Sequence, residues 1–291
     1  SDDIVAMQRC SPAVLLWGLQ HAHTPGEIIS RNAILPYLIT TLINSGAKPH
    51  NINHLTTIVI DAVLHQLIEF AIAELGPPPA RFSFMVFGSE GRNEQTLRTD
   101  QDNAIIFEEP ERERLQSVQR YFVELGTKVC RWLHEAGYSY CEGNNMAQNP
   151  QWCQPLSLWK QYFSEWIFTG TAEDLLRTKI FFDFRNAYGE QQLVDQLRDH
   201  LDEIVSDNPR FFQLLARNVL ALSPPIGFFG NFVVESVGEH RNVFDIKSSM
   251  LPIVDYARIY AINHKIRATN TIARLDALRE RNILAPQNHQ E

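Results

Sequence analysis

Apolar positions along the chain follow two rhythms, a helical period and short unbroken runs of about five residues, and these divide it into three stretches. Up to residue 75 the helical rhythm prevails. Ser11-Pro12 reads as a helix start, with serine as the cap and proline in the first turn. Thr24-Pro25-Gly26-Glu27 repeats that signal ahead of an amphipathic stretch reaching about Ile43. Asn44-Ser45-Gly46 ends it, and a further helix is predicted from about Asn53 to Leu75. Gly76-Pro77-Pro78-Pro79 then stops any helix, because proline lacks the amide and clashes with the preceding turn.

The second stretch mixes the rhythms. Phe82 to Phe87 is short, aromatic and apolar and runs into glycine, as a buried strand does; Asn103 to Phe107 is a second strand. Ser89 to about Leu97 leaves room only for a turn or short helix. Pro110 opens a long helix through about Glu135, closed by Gly137, and Tyr138 to Cys141 reads as a third strand. Gly143 to Pro155, rich in Asn, Gln and Pro, reads as an ordered loop. A Trp-bearing helix from Leu158 to Phe168, a short helix near Thr171 and a strand over Lys179 to Phe184 follow.

From Gln191 the pattern is mainly helical, with a break at Ser223-Pro224-Pro225 and a hairpin expected over Gly227 to Asp245. Two last helices cover about Ser248 to His264 and Thr269 to Arg281, and the tail from Ala285 is expected to fray. The strands are too few for a doubly wound sheet, so the expected class is α+β. The expected division is a helical region over 1–79, a small α/β unit over 80–189 and a helical domain over 190–291.

Composition narrows the classes. With 291 residues, 44% hydrophobic and 21% charged, the chain has the make-up of an ordinary globular protein, and it holds no uninterrupted apolar run of about 18 residues. Ser1-Asp2-Asp3 has neither the basic start nor the apolar run of a signal peptide. The four cysteines, Cys10, Cys130, Cys141 and Cys153, show no CxxC spacing, which points to a reducing cytoplasm rather than a disulfide framework. A zinc site from His134, Cys141 and Cys153 matches no standard spacing. The net charge of −8 is the wrong sign for a protein that tracks long nucleic acid.

The chemistry concentrates in two short pieces. In Phe87-Gly88-Ser89-Glu90-Gly91-Arg92 a strand ends in Gly-Ser and turns, which lets a polyphosphate approach the backbone amides and the Ser89 hydroxyl. In Thr99-Asp100-Gln101-Asp102-Asn103 two aspartates stand two apart, so on extended backbone both carboxylates leave the same face. Two such charges repel unless a cation joins them, and an all-oxygen donor set suits magnesium, which also binds substrate phosphates. Asp183, an acid within Ile180 to Phe184, is the candidate third ligand, with pairing to Arg185 or Lys179 as its alternative and Glu142 in reserve. Two metal ions so held stabilise the attacking and leaving oxygens of an in-line displacement.

Residues Gly88 to Ala104 resemble the signature of the nucleotidyltransferases related to protein-PII uridylyltransferase, within the polymerase-β-like superfamily. Cys141 to Ala147, Ile180 to Arg185 and Pro252 to Arg258 also resemble that family, so the likeness spans about residues 25 to 280. Ten residues lie between Ser89 and Asp100, as in the superfamily pattern. The resemblance implies a small nucleotidyltransferase sheet flanked by helices. It also implies nucleotide phosphates on Gly88 and Ser89, and magnesium, two ions in all, on Asp100 and Asp102, with Asp183 completing the set. A C-terminal substrate-binding domain is implied too, as are a nucleoside triphosphate substrate, a small regulatory protein as acceptor in signal transduction, and a regulatory domain fused upstream.

Several residues carry two readings. Arg92 is either a phosphate clamp or a surface charge. Glu94 reads as the partner of Arg98 across one helical turn. Trp152, Trp159 and Trp166, spaced by seven, mark one packed helix face rather than an aromatic box. Glu239-His240-Arg241 and Asp245-Ile246-Lys247 either line the nucleotide cleft, with Lys247 on phosphate, or are solvated. Asp255 and Arg258 read as an intrahelical pair. The main expectation is an enzyme; the alternatives are a catalytically silent nucleotide sensor and a helical scaffold for a protein partner.

Overall fold

The computed structural model describes residues 11–97, 99–206, 208–220 and 246–284. Contacts divide the chain into two compact units, Ser1–Tyr162 with Ile180–Arg198, and Phe163–Lys179 with Asp199–Glu291.

In the first unit, helix α1 (Pro12–Gln20) starts where Ser11 Oγ accepts from the Val14 amide, and α2 (Pro25–Asn32) where Thr24 Oγ1 accepts from the Glu27 amide at 3.2 Å. Each serves one of the amides a helix start leaves without an intrahelical partner. The amphipathic stretch to Ile43 is two helices, α2 and α3 (Leu35–Asn44), with Pro36 in the first turn of the second. Helix α4 (Pro49–Leu75) ends at Gly76, whose φ of 86° is open to glycine and strained for other residues. By length and composition α4 is apolar enough to cross a membrane. Here it is a core helix: Val59, Val63, Leu67 and Ala71 are fully buried, and Asp61, Glu69 and Glu74 bond to Arg185, Tyr188 and Lys128.

Strand β1 (Phe82–Val86) leads into the short helix α5 (Gly88–Gly91); β2 (Asp100–Gln101) and β3 (Asn103–Phe107) follow. Next come helix α6 (Leu115–Glu135), β4 (Ser139–Tyr140), β5 (Cys153–Pro155), helices α7 (Leu156–Thr169) and α8 (Ala172–Phe181), and β6 (Arg185–Gly189). The main sheet is mixed, in the order β5-β3-β1-β6, with β1 antiparallel to both neighbours and β3 parallel to β5; β2 and β4 form a separate parallel pair. Every residue of β1 and β3 is buried, because helices cover the sheet. Helices α1 to α4, α6 and the sheet share one hydrophobic core. The class is α+β.

Two expectations are corrected. Lys179 to Phe184 is not a strand: α8 runs through Phe181, and the strand begins at Arg185. Phe181 and Phe182 are buried at a helix end, with Ile180 partly buried before them, and Phe181 packs on Trp152 at 4.5 Å and on Phe87 at 4.9 Å between ring centres. The loop over Gly143 to Pro155 also contains a strand, β5, whose pairing with β3 its Gln- and Pro-bearing sequence does not announce. Trp152, Trp159 and Trp166 are all buried, and Trp159 Nε1 donates to the Ile105 carbonyl at 3.2 Å, so these rings are core.

The second unit includes α9 (Gln191–Ser206) from Asp199 onward, α10 (Pro209–Leu220), α11 (Ile246–Asn263) and α12 (Thr271–Glu280). Ala261, Ile266, Leu278 and Leu284 form a small core there. Asp255 and Arg258 make the expected intrahelical pair and are both buried, with Lys179 Nζ 3.5 Å from the other carboxylate oxygen. The expected break and hairpin over 223–245, with Glu239, His240, Arg241 and Asp245, and the tail from Ala285, lie outside the described residues.

Candidate active site

Strand register builds the site. In the antiparallel pair, Val86 at the end of β1 faces Asn103 at the start of β3, and the Phe87 amide donates to the Asp102 carbonyl at 2.9 Å. Gly88 therefore sits beside Asp102: its φ is 55°, and a Cβ placed on it would stand 3.2 Å from Asp102 Oδ2. On the other flank Val86 pairs with Arg185, so the segment entering β6 reaches the same rim. There the Asp183 carbonyl lies where a Gly91 Cβ would be, 1.8 Å from that position. A glycine at 91 is required by this close approach, not by its φ.

The parallel pair brings in the last side chain. Asp100 pairs with Ser139 and Gln101 with Tyr140. Gln101 turns inward and donates through Nε2 to the carbonyls of Cys130, at 3.0 Å, and Tyr138, at 2.9 Å. Alternation then sends Asp100 and Asp102 to the opposite face, and one further step along β4 sets Cys141 beside them. Ligand atoms of Asp100, Asp102 and Cys141 all lie within 4.8 Å of one another. Asp100 is exposed, Asp102 half-buried and Cys141 buried. The loop after Cys141 is pinned to β3: the Asn103 amide donates to the Asn145 carbonyl at 3.0 Å, and Asn103 Oδ1 accepts from the Ala147 amide at 2.8 Å.

Charges around the rim are unevenly matched. Burial pushes the Glu90 carboxyl up to about 8 against the pull of Arg185, with Asp61, Asp102 and Asp100 adding to the rise. The Cys141 thiol is pushed up to about 11, by burial first and then by Asp102. Arg92 is almost buried and bridges two acids, Nε to Glu94 at 2.8 Å and Nη1 to Asp183 Oδ2 at 2.8 Å. Glu94 is paired with Arg92, and Arg98, its expected partner, lies outside the described residues.

The structure accordingly brings together Gly88, Ser89, Asp100 and Asp102 at one rim, with Arg92 and Asp183 joined to each other beside Gly91. Asp183 is fully buried at the turn before β6 and is not one of the three clustered ligand residues. Neither Arg185 nor Lys179 pairs with it: Arg185 holds Asp61 at 2.7 Å, and Lys179 lies by Asp255. Glu142 is exposed and outside the cluster. Lys247 occupies the second position of α11 in the other unit, and its side chain lies outside the described ones. Glu90 and Cys141 were not singled out for this site by sequence. Cys141 opened a family-like stretch and entered a discounted zinc set with His134 and Cys153, but its place beside the two aspartates needs the β2–β4 register to be read.

A divalent cation fits this rim. Two carboxylates of like charge stand close together on one face, the Gly88 hydrogen leaves a cradle against Asp102, and the acidity of the place is felt by Glu90. Hard oxygen donors of this kind suit magnesium or its analogues.

A helix-flanked mixed sheet carrying a Gly-Ser turn and an Asp-x-Asp pair at one rim fits the nucleotidyltransferase fold. Residues 33–173 match the family described as "Putative nucleotidyltransferase DUF294", and residues 209–291 match the domain described as "Putative nucleotidyltransferase substrate binding domain". The chain belongs to this nucleotidyltransferase family. No curated protein matches it.

Proposed function

We propose that the protein is a magnesium-dependent transferase that moves a nucleoside monophosphate from a nucleoside triphosphate to an acceptor hydroxyl and releases pyrophosphate. The observation that carries this reading is the convergence of Gly88 with Asp100 and Asp102 at one sheet rim. Asp100 and Asp102 would hold magnesium, which when bound would supply charge neutralisation for the polyphosphate and a lowered barrier to ionisation of the acceptor hydroxyl. Gly88 and Ser89 receive the β- and γ-phosphates on backbone amides and the Ser89 hydroxyl. Arg92 is the cation for phosphate.

Asp183 is proposed as the third acid, although its carboxylate carries Arg92 in this structure. Phosphate arriving at Arg92 competes for the same guanidinium, so a triphosphate is the kind of ligand that frees this acid. The likeness to protein-PII uridylyltransferase supports a uridylyltransferase-type reaction on a small regulatory protein in a cytoplasmic signalling system, with a regulatory domain upstream.

The test is transfer of a labelled nucleotide by the wild type and by Asp100→Asn/Asp102→Asn with magnesium. Loss of about a thousandfold or more in the variant is expected, since the acids act as a unit; equal rates remove the proposal. The Arg92–Asp183 pair also favours a second reading, a nucleotide sensor without turnover. That reading predicts magnesium-dependent binding of a triphosphate by calorimetry with no pyrophosphate release for any acceptor.

A further inference from the structure

Magnesium sites built by two aspartates need no sulfur, yet a cysteine shares this one. Cys141 Sγ lies within 4.8 Å of both the Asp100 and Asp102 ligand atoms. Donors bound to one cation at about 2.0–2.5 Å stand roughly 3–5 Å apart, so the three fit around a single ion with little movement. The sulfur is also aimed. Asn145 Nδ2 lies 3.7 Å from it, the Asn144 amide turns back onto the Cys141 carbonyl at 3.0 Å, and Asn145 is tied to β3 through the Asn103 amide. Gly143 follows closely enough that a Cβ there would lie 3.0 Å from Asn145 Nδ2. A buried free thiol held by such a loop is a fixed donor, not a mobile surface group.

We propose that Cys141 is a third ligand of the cation site, which makes the site bind thiophilic divalent ions, zinc and cadmium, more tightly than magnesium. This rests on reading Asp100 and Asp102 as cation ligands. Thiolate sulfur prefers soft and borderline ions, whereas magnesium takes oxygen donors and leaves the sulfur aside. On binding zinc or cadmium a sulfur–metal bond forms, the S–H bond breaks and the proton leaves to solvent. The two hard acids with one soft donor therefore make a site that works with magnesium and is blocked by traces of zinc. Substitution by serine removes the preference and keeps a small oxygen donor.

The probe is cadmium itself, titrated into the full chain and followed by the ultraviolet sulfur-to-metal charge-transfer band and by calorimetry. Wild type, Cys141→Ser and Asp100→Asn/Asp102→Asn are compared, each checked by circular dichroism for the wild-type fold. The expected result is a band in the wild type that Cys141→Ser abolishes. Cadmium affinity should fall about tenfold or more in that variant, the least that losing even an outer partner costs a metal site. Magnesium affinity should stay within about twofold.

Cadmium bound equally by wild type and Cys141→Ser, with no band, overturns the role of Cys141 while leaving the two-carboxylate site standing. A band that survives Asp100→Asn/Asp102→Asn undiminished marks a solitary thiol and overturns the proposal too. No cadmium binding by any form defeats both this proposal and the reading of the acids. Should Cys141→Ser fold poorly, the cadmium-113 resonance of the wild type decides: a shift in the range of oxygen-only ligation overturns the inference, and a displacement toward sulfur ligation supports it.

Discussion

The Phe87 amide donates to the carbonyl of Asp102 across 2.9 Å, and this one ladder bond joins the two halves of the candidate site. Phe87 is the last residue before the glycine turn, and Asp102 is the second acid of the pair. Any change that moves either strand end moves the Gly88-Ser89 turn against the acids.

Gly91→Ala is expected to be costly. The added Cβ would lie 1.8 Å from the Asp183 carbonyl oxygen and 3.0 Å from that of Val86, both backbone atoms. Overpacking of this kind costs about 1–3 kcal/mol, and more where backbone must give. Urea unfolding should show a loss at or above the upper end of that range, and a fully wild-type midpoint would contradict the close packing of the two segments.

Gly88→Ala tests the turn rather than the core. A φ of 55° costs a non-glycine residue about 1–2 kcal/mol, and the methyl would press on Asp102 Oδ2 at 3.2 Å. The fold should survive with a modest drop in stability. Magnesium affinity, measured by calorimetry, should fall because the Asp102 carboxylate is displaced; unchanged affinity would mean that Gly88 does not shape the cation site.

Arg92 and Asp183 should behave as a coupled pair. Asp183 is fully buried, so Arg92→Met leaves a buried charge without its 2.8 Å partner, a change that typically costs 3–5 kcal/mol. Asp183→Asn in the same chain should recover part of that loss. A double-mutant cycle from thermal unfolding is expected to return a coupling of about 1–3 kcal/mol; additive effects would show that the pair contributes little to the rim.

Glu90 gives the rim a pH dependence of defined sign. Its carboxyl is raised to about 8 in the folded chain, chiefly by burial. Well below the ordinary carboxylate range it is neutral in both states. Between there and about 8 the unfolded chain ionises while the folded chain keeps its proton, so stability falls as pH rises and levels off above. Glu90→Gln removes that loss. Its stability relative to wild type should climb through this window to a few kcal/mol, on the order of 1.4 kcal/mol per unit of raised pKa. Melting curves of the two proteins that run parallel from mildly acid to alkaline pH would rule out a buried neutral Glu90.

Much of this architecture was legible in the residues. Helix starts at Ser11 and Thr24 declare themselves because a cap is a local event, one side chain meeting an amide three residues on. Strands β1 and β3 were legible because both are covered by helices and so are apolar throughout. The Gly-Ser turn and the Asp-x-Asp pair were legible as motifs because residue type and spacing are read directly from the chain.

The sequence by itself thus determined the α+β class and the positions of the Gly-Ser turn and the two acids. Only the tertiary structure decided that Ile180 and Phe181 close a helix, that Asp183 is held by Arg92, and that Glu90 is buried against like charge. Only it decided that Cys141 stands at the acids. Each of these depends on which segments lie side by side, through the antiparallel register of β1 with β3 and β6 and the parallel register of β2 with β4. Registers are set by burial summed over the whole sheet, and no local pattern of residues encodes them.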